Sequence, residues 1–430
     1  MTSNYGNKVE GEEMKSKNRQ NLQVVRPEKD ETDDIIDQIM DELRDEENPV
    51  EELEIRIARH KKRFRFRVAA AAAILVVAAI ATYIFFISQT YGQVRVLTTW
   101  EDQETDSGNY VQFANGVLKY SKDGAGYIDA KGNEQWNQSY QIKNPIVDMT
   151  DQTVAIADSG GNTIMIFEET GLKGEIQTTL PIEKISVSEQ GVVAAILRNE
   201  DTPRVICYDA AGNILVEHKA AVTSTGYPID ISLSSDGELL LVSYLYTQDN
   251  VVTSNIAYYN FGKVGQDKAD NQVTSASYED AVMPMTFFLS DETSVIVGDR
   301  QILIYKGTQI PELHETIDLD KEIKSACYAD GNFGVVLKNE GKEGYELRLY
   351  NTSGKQVMAA DFKGEYSHIR MSGNKIIMYE GNQCLIYMKS GQKRFEGEMD
   401  ANILGIIPMS GFNKYLVMST GGIQEVRFVK

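Results

Sequence analysis

The sequence predicts an all-β fold, an eight-bladed β-propeller, preceded by one membrane-spanning helix and an acidic tail. Three observations predict it: a turn phrase that recurs seven times between Ile128 and Gln392, a unit of paired apolar strands before each turn, and one run of twenty residues without a charge. The phrase is an aromatic residue or Ile, usually a polar residue, two variable residues and Gly. It is full length at Ile128-Asp129-Ala130-Lys131-Gly132, Phe167 to Gly171, Tyr208 to Gly212, Tyr350 to Gly354 and Tyr387 to Gly391, and shortened at Tyr259 to Gly262 and Tyr305 to Gly307. The glycines lie 39, 41, 50, 45, 47 and 37 residues apart. A period of about 43 with strand chemistry throughout marks a propeller whose blades each hold four strands.

The chemistry of the phrase follows from hairpin geometry. Gly accepts positive φ without a Cβ penalty, and a preceding Asp or Asn can hydrogen-bond the backbone of the turn. Before each turn stand two apolar strands around a polar turn, as in Lys184 to Leu197 and Asp230 to Ser243. The same unit recurs at Ile146 to Ala157, Met285 to Val297, Ser325 to Leu337, His368 to Met378 and Ile403 to Met418. These read as inner strands A and B, and the glycine turn then joins C to D.

Counting the units sets the blade number and the way the ring closes. Seven turns give seven blades, an eighth A and B pair begins at Ile403, and Gln424 to Lys430 supplies its strand C. Strand D of that blade is missing at the C-terminus, while an orphan strand, Gln93 to Trp100, stands before the first repeat. Pairing the two closes the ring and removes both unpaired edges. Seven blades is the alternative if one weak repeat is not a blade.

Outside the propeller, Val68 to Ile87 is long enough, at 1.5 Å per residue, to cross roughly 30 Å of hydrocarbon. Arg59, Lys61, Lys62, Arg63, Arg65 and Arg67 precede it with no acid among them, so the positive-inside rule puts the N-terminus in the cytoplasm and residues 93–430 outside. A cleaved signal peptide is the rival, but 67 residues precede the apolar run, far more than a signal peptide's basic leader. The basic cluster either fixes topology alone or also touches lipid phosphate. Because the closing strand begins five residues after the span, the propeller is expected to lie close to the bilayer.

Residues 1–27 are polar and expected to be disordered, and residues 28–67 form an acidic and then basic juxtamembrane region. Ile35, Ile36, Ile39, Met40 and Leu43 fall on one face of a short helix that Pro49 is expected to end. That face either fits a groove on a cytosolic partner or self-associates. The first 67 residues carry a net charge of −3 and the remainder −17, which disfavours nucleic acid and anionic lipid as partners of the propeller.

Chemistry-bearing residues are sparse. Cys207, Cys327 and Cys384 match no zinc or redox spacing and read as buried thiols, while His218, His314 and His368 are scattered. No cofactor, metal or catalytic residue is assigned. Converging carboxylates at the axial mouth would suit a glycosidase-like pair, but nothing selects two of the 46 acids beyond residue 67. Ser121 to Gly124 and Asp158 to Asn162 could bind calcium, and hairpin chemistry explains them equally well. Val264 to Met283 reads as a polar insertion in the C–D connection of blade 4, a candidate binding loop or a solvated one.

Tyr127-Ile128-Asp129-Ala130-Lys131-Gly132-Asn133-Glu134-Gln135-Trp136 resembles the repeat of quinoprotein-like propellers, a family that includes quinone-dependent dehydrogenases and an outer-membrane assembly lipoprotein. The resemblance implies the fold. It does not imply the cofactor, since the vicinal Cys pair and cofactor-stacking Trp of the dehydrogenases have no counterpart here. The whole layout is similar to a bacterial family of membrane-anchored propellers described only as a domain of unknown function. The functional expectation is a binding or scaffold protein of the cell envelope, with a protein or wall-polymer partner outside; an extracytoplasmic enzyme and a ligand-sensing receptor are the alternatives.

Overall fold

The computed structural model describes residues 31–100, 108–129 and 132–430, leaving the side chains of residues 31, 33, 43–52 and 87 aside. The chain divides into two units, Met1–Ile87 and Ser88–Lys430.

In the first unit one helix runs from Glu31 to Ile87. It passes through Pro49 instead of stopping there, correcting the expected break. Proline removes one backbone donor and crowds the preceding turn, but the flanking Glu, Leu and Arg residues are strong helix formers. Residues Leu53–Phe86 include a stretch long and apolar enough to cross a membrane, with a mean hydropathy of 2.5 and no burial. This fits a single-pass membrane anchor. Residues 1–27 lie outside the described residues, so the expected disordered tail has no counterpart here.

The second unit is an eight-bladed propeller of four-stranded antiparallel sheets. Blades 1 to 7 begin at Asn109, Pro145, Ile182, Tyr227, Met285, Ile323 and His368. Blade 8 takes Ile403–Pro408, Lys414–Ser419 and Gly422–Val429 from the C-terminus and Gln93–Trp100 from the N-terminus. Its closing pair is antiparallel, from Gln93 against Val429 to Trp100 against Ile423.

Burial explains the composition of each strand. Strand B of blade 3, Val193–Leu197, is buried at every position because neighbouring blades cover both faces. Outermost strands are covered on one face at most, so Gln272–Glu279 alternates between exposed and half-buried. This narrows the expected insertion in blade 4: residues 272–279 are strand D itself, and the lengthened C–D connection is residues 261–271, with a short helix, Lys263–Gln266, and a 3-10 turn, Ala269–Asn271. A polar outer strand has the composition of a loop. Further length in blade 4 lies in the ten-residue strands Leu239–Gln248 and Val251–Asn260, joined through Asp249 and Asn250 at positive φ.

Each glycine turn works through the polar residue before it. Asp209 accepts the N–H groups of Ala211 and Asn213 on one carboxylate oxygen, and Gly212 closes the turn at φ 84°. Asn351 does the same in blade 6 through its amide oxygen, and Asp129 accepts the Asn133 N–H in blade 1. Gly132, Gly171, Gly307, Gly354 and Gly391 also have positive φ. Gly262 departs from the pattern at φ −75°, because its chain turns into the short helix of blade 4.

Apolar cores fill the gaps between blades. The cluster between blades 2 and 3 holds thirteen buried residues. At the seam between blades 8 and 1 the apolar cluster has only four buried residues, Tyr110, Val117, Ile407 and Met418. The seam of blades 8 and 1 is therefore the thinnest apolar interface between blades among the described residues.

Candidate functional site: the axial channel

Eight strands A surround a cavity of about 660 Å³. Blades 1 to 8 all contribute, with Gln112, Asp148, Ser186, Ser232, Thr286, Tyr328, Arg370 and Ile407 among the lining residues. The cavity extends to the A–B turns, where Asp151, Glu189 and Asp330 give its mouth an acidic border. Because adjacent strands are antiparallel, the A–B and C–D turns share one face. Gln93 pairs with Val429 at the end of strand C, so residues 88–92 enter the propeller on that same face.

An inner strand has one edge without a sheet partner, and its N–H groups point toward the axis. Side-chain acceptors from the preceding blade meet several of them. Val187 donates its N–H to Asp148 Oδ2 at 2.7 Å, and Leu233 donates to Ser186 Oγ at 3.0 Å. Thr286 donates both its N–H and its hydroxyl to Asp230 Oδ2, at 2.6 and 3.1 Å. Blades 2 to 5 are thus stitched around the channel, and each stitch satisfies a donor that would otherwise face a narrow, poorly hydrated space. At the mouth Thr153 donates to the Glu189 carbonyl, Glu189 N–H to the Ser235 carbonyl, and Ser235 to Asp291.

The two inner-strand carboxylates, Asp148 on the cavity wall and Asp230 buried behind it, differ in their company. Asp230 receives Lys184 Nζ at 2.9 Å as well as Thr286, so both its oxygens are engaged. Its acidity is nevertheless weakened, since burial outweighs the lysine. Asp148 pairs with no lysine or arginine among the described residues. Burial pushes its carboxyl up to about 6, the Val187, Ser186 and Met149 hydrogen bonds oppose this, and the Asp230 charge adds to it. Tyr328 stacks on Phe287 with ring centroids 4.1 Å apart and planes 3° apart. Even so, 46% of Tyr328 remains accessible.

Apart from Cys327, which lines the cavity, the residues singled out in the sequence lie elsewhere. Ile35, Ile36, Ile39 and Met40 are exposed on the helix, Leu43 follows on it with its side chain outside the description, and Val68 and Ile87 bound the apolar run. Arg59, Lys61, Lys62, Arg63, Arg65 and Arg67 precede that run on the same helix. Cys207, Cys327 and Cys384 are free and buried in three separate blades. His218 stacks on Tyr259 and His368 on Tyr379. Asp158 accepts the N–H groups of Lys143 and Asn144, so its carboxylate braces a loop, and no group of three metal-ligating side chains occurs among the described residues. Asp148 and Asp230 were not selected in the sequence. Their signal is an acid inside an apolar inner strand, as in Pro145-Ile146-Val147-Asp148-Met149 and Pro228-Ile229-Asp230-Ile231.

Trp136, the end of the quinoprotein-like phrase, is a clamp between blades 1 and 2. It stacks on Phe167 at 5.0 Å and donates Nε1–H to the Glu169 carbonyl at 3.1 Å.

Residues 87–428 match the model of a family described as a family of unknown function, DUF5711. The chain belongs to that family. Among solved structures it is similar to BamB from Moraxella catarrhalis, with 11% identity and a TM-score of 0.46, over 78% of this chain and 100% of that one. It is also similar to Hsv2 from Kluyvelomyces marxianus, with 10% identity and a TM-score of 0.43, over 66% and 93% of the two chains. A search of curated proteins finds no match.

Proposed function

We propose that this protein is a single-pass, membrane-anchored binding protein of the bacterial cell envelope, whose propeller holds a partner at the mouth of its axial channel. The observation that carries the reading is the channel itself, lined by all eight blades and opening between acidic turns. In this reading Val68 to Ile87 spans the bilayer, the N-terminus is cytoplasmic and the propeller lies outside. Phe64 and Phe66 are exposed among the basic residues, and successive positions point to different sides of a helix. Basic and aromatic groups therefore ring the helix at one level, which suits a helix crossing an interface better than one lying along it. The face formed by Ile35, Ile36, Ile39, Met40 and Leu43 is available to a cytosolic protein. The quinoprotein-like repeat contributes turn and clamp chemistry to this reading and no cofactor.

The test is site-specific photocrosslinking in membranes of the producing cell, with the reactive residue placed at Glu189 or Asp291 on the mouth, or at Glu343 on the opposite face. Adducts from the mouth positions alone are expected. Adducts from Glu343 alone, or none from the mouth, overturn the reading. A chain lacking residues 1–60 tests the tail: unchanged cytosolic partners in a pull-down would remove that part of the proposal.

A further inference from the structure

Resting on the reading of the channel as a binding site, we infer that it takes an organic ammonium group, held between the open part of the Tyr328 ring and the carboxylate of Asp148. Tyr328 is the first ground. Its ring is braced on one side by Phe287, yet nearly half of the residue is open, and it lines the cavity. Its hydroxyl has no hydrogen-bond partner among the described residues. A large aromatic side chain held rigid, with its open surface on a channel and its polar atom unspent, is shaped for a ligand more than for the core. The electron-rich ring face attracts cations, most strongly where water is scarce.

Charge supplies the second ground. Asp148 reaches the same cavity and accepts hydrogen bonds from Val187, Ser186 and Met149, but among the described residues no lysine or arginine pairs with it. The charge that acts on it is that of another acid, Asp230, which is itself met by Lys184. Asp148 and Tyr328 line the same cavity from opposite blades, 2 and 6, and both carboxylates act electrostatically on Tyr328. An entering cation would meet the acidic border of Asp151 and Glu189 and then the uncompensated Asp148. Arg370 on the adjoining blade 7 also lines the channel, but its charge acts on Tyr120 and Tyr379 and is not among those acting on Asp148 or Tyr328.

The class of cation follows from the remaining lining. A hard metal ion needs six or more oxygen ligands, whereas one carboxylate and a ring offer few. Met149, Leu289 and Ile407 provide apolar wall for an alkyl stem. A space of about 660 Å³ is larger than an ammonium head, so the group arrives on a longer chain. A free alkyl diamine and a lysine side chain of a peptide share this chemistry.

Calorimetric titration of the full-length protein in detergent separates these sources, with a linear alkyl diamine in one arm, a Gly-Lys-Gly peptide in the second and a linear diol of matching length as the neutral control. At least one amine is expected to bind and the diol is not. Asp148→Asn and Tyr328→Leu should each weaken the amine roughly tenfold or more, while Tyr328→Phe, which keeps the ring, should retain it. If Tyr328→Leu does not fold, Asp148→Asn decides alone. Binding of neither amine, equal binding of the diol, or unchanged affinity in Asp148→Asn overturns the inference. Mouth crosslinks that persist after such a result leave the channel as a binding site for another chemistry; their loss removes both.

Discussion

Replacing Tyr91 with Ala should open the clasp that closes the propeller. The closing strand Gln93–Trp100 is exposed at seven of its eight positions. Its hydrogen bonds to Gly422–Val429 contribute roughly 1 kcal/mol each, which the ordering of eight residues largely cancels. The hold comes from the residues just before it. Tyr91 is buried, donates its N–H to the Arg394 carbonyl at 3.0 Å and accepts the Glu396 N–H at 3.1 Å, so the chain bridges onto strand D of blade 7. The Arg394 guanidinium lies 5.1 Å from the Tyr91 ring and 4.9 Å from Phe412, and donates to Asn413 at 2.7 Å. Removing a buried aromatic ring costs about 3 kcal/mol, with about 1 kcal/mol more from the lost cation–π contact. With an unfolding entropy of roughly 0.7 kcal/mol/K for a domain of this size, Tm should fall by about 6 °C. Thermal and urea unfolding of Tyr91→Ala, Arg394→Met and the double variant would measure the loss and a coupling of about 1 kcal/mol. A Tyr91→Ala chain within about 0.5 kcal/mol of the parent, or strictly additive variants, would refute the reasoning. A chain starting at Glu101 should be less stable than either, and one starting at Tyr91 should keep most of the hold.

Four further outcomes are expected. Folded Asp148 keeps its proton up to about pH 6 while the unfolded acid releases it near 3.8, so the folded state binds the extra proton between these values. Stability is then greatest below the window and falls by up to about 3 kcal/mol as pH rises through it; Asp148→Asn should lose this slope in urea titrations, and parallel curves for the two proteins would count against it. Met418→Ala should cost about 2 to 4 kcal/mol and raise amide exchange first at the seam of blades 8 and 1, where few side chains share the load. Cys207 and Cys327, whose thiols burial pushes up to about 12, and Cys384, likewise raised, should react with a thiol reagent only as fast as the domain unfolds; rapid labelling in the native state contradicts their placement. Gly174→Ala should destabilise by several kcal/mol, because its Cβ would collide with the Ala210 carbonyl of the next blade, and an unchanged Tm would show that the two blades can part there.

Much of the fold is legible in the sequence because its signals are local. An Asp209 that caps its own turn and a Gly212 that needs positive φ act within five residues, and inner strands such as Val193–Leu197 are apolar at every position. Signals that share one composition are not separable. Gln272–Glu279 was legible only as polar, which suits a loop and an outer strand alike, and Pro49 marks a break only if its neighbours do not carry the helix through. The channel was barely legible. Asp148, Asp230 and Tyr328 are spaced by 82 and 98 residues, and no local pattern links them.

By itself, then, the sequence determined the number of blades, the strand that closes the ring and the apolar helix ahead of it, because turn chemistry, burial period and apolar length are each set by near neighbours along the chain. Only the tertiary structure decided that Tyr91 holds the clasp through Arg394, that the seam of blades 8 and 1 is the thinnest, and that an unpaired carboxylate shares a channel with an open tyrosine ring. Those relations exist between residues that meet when eight sheets pack around one axis, and the packing, not the local code, sets which side chains turn inward together.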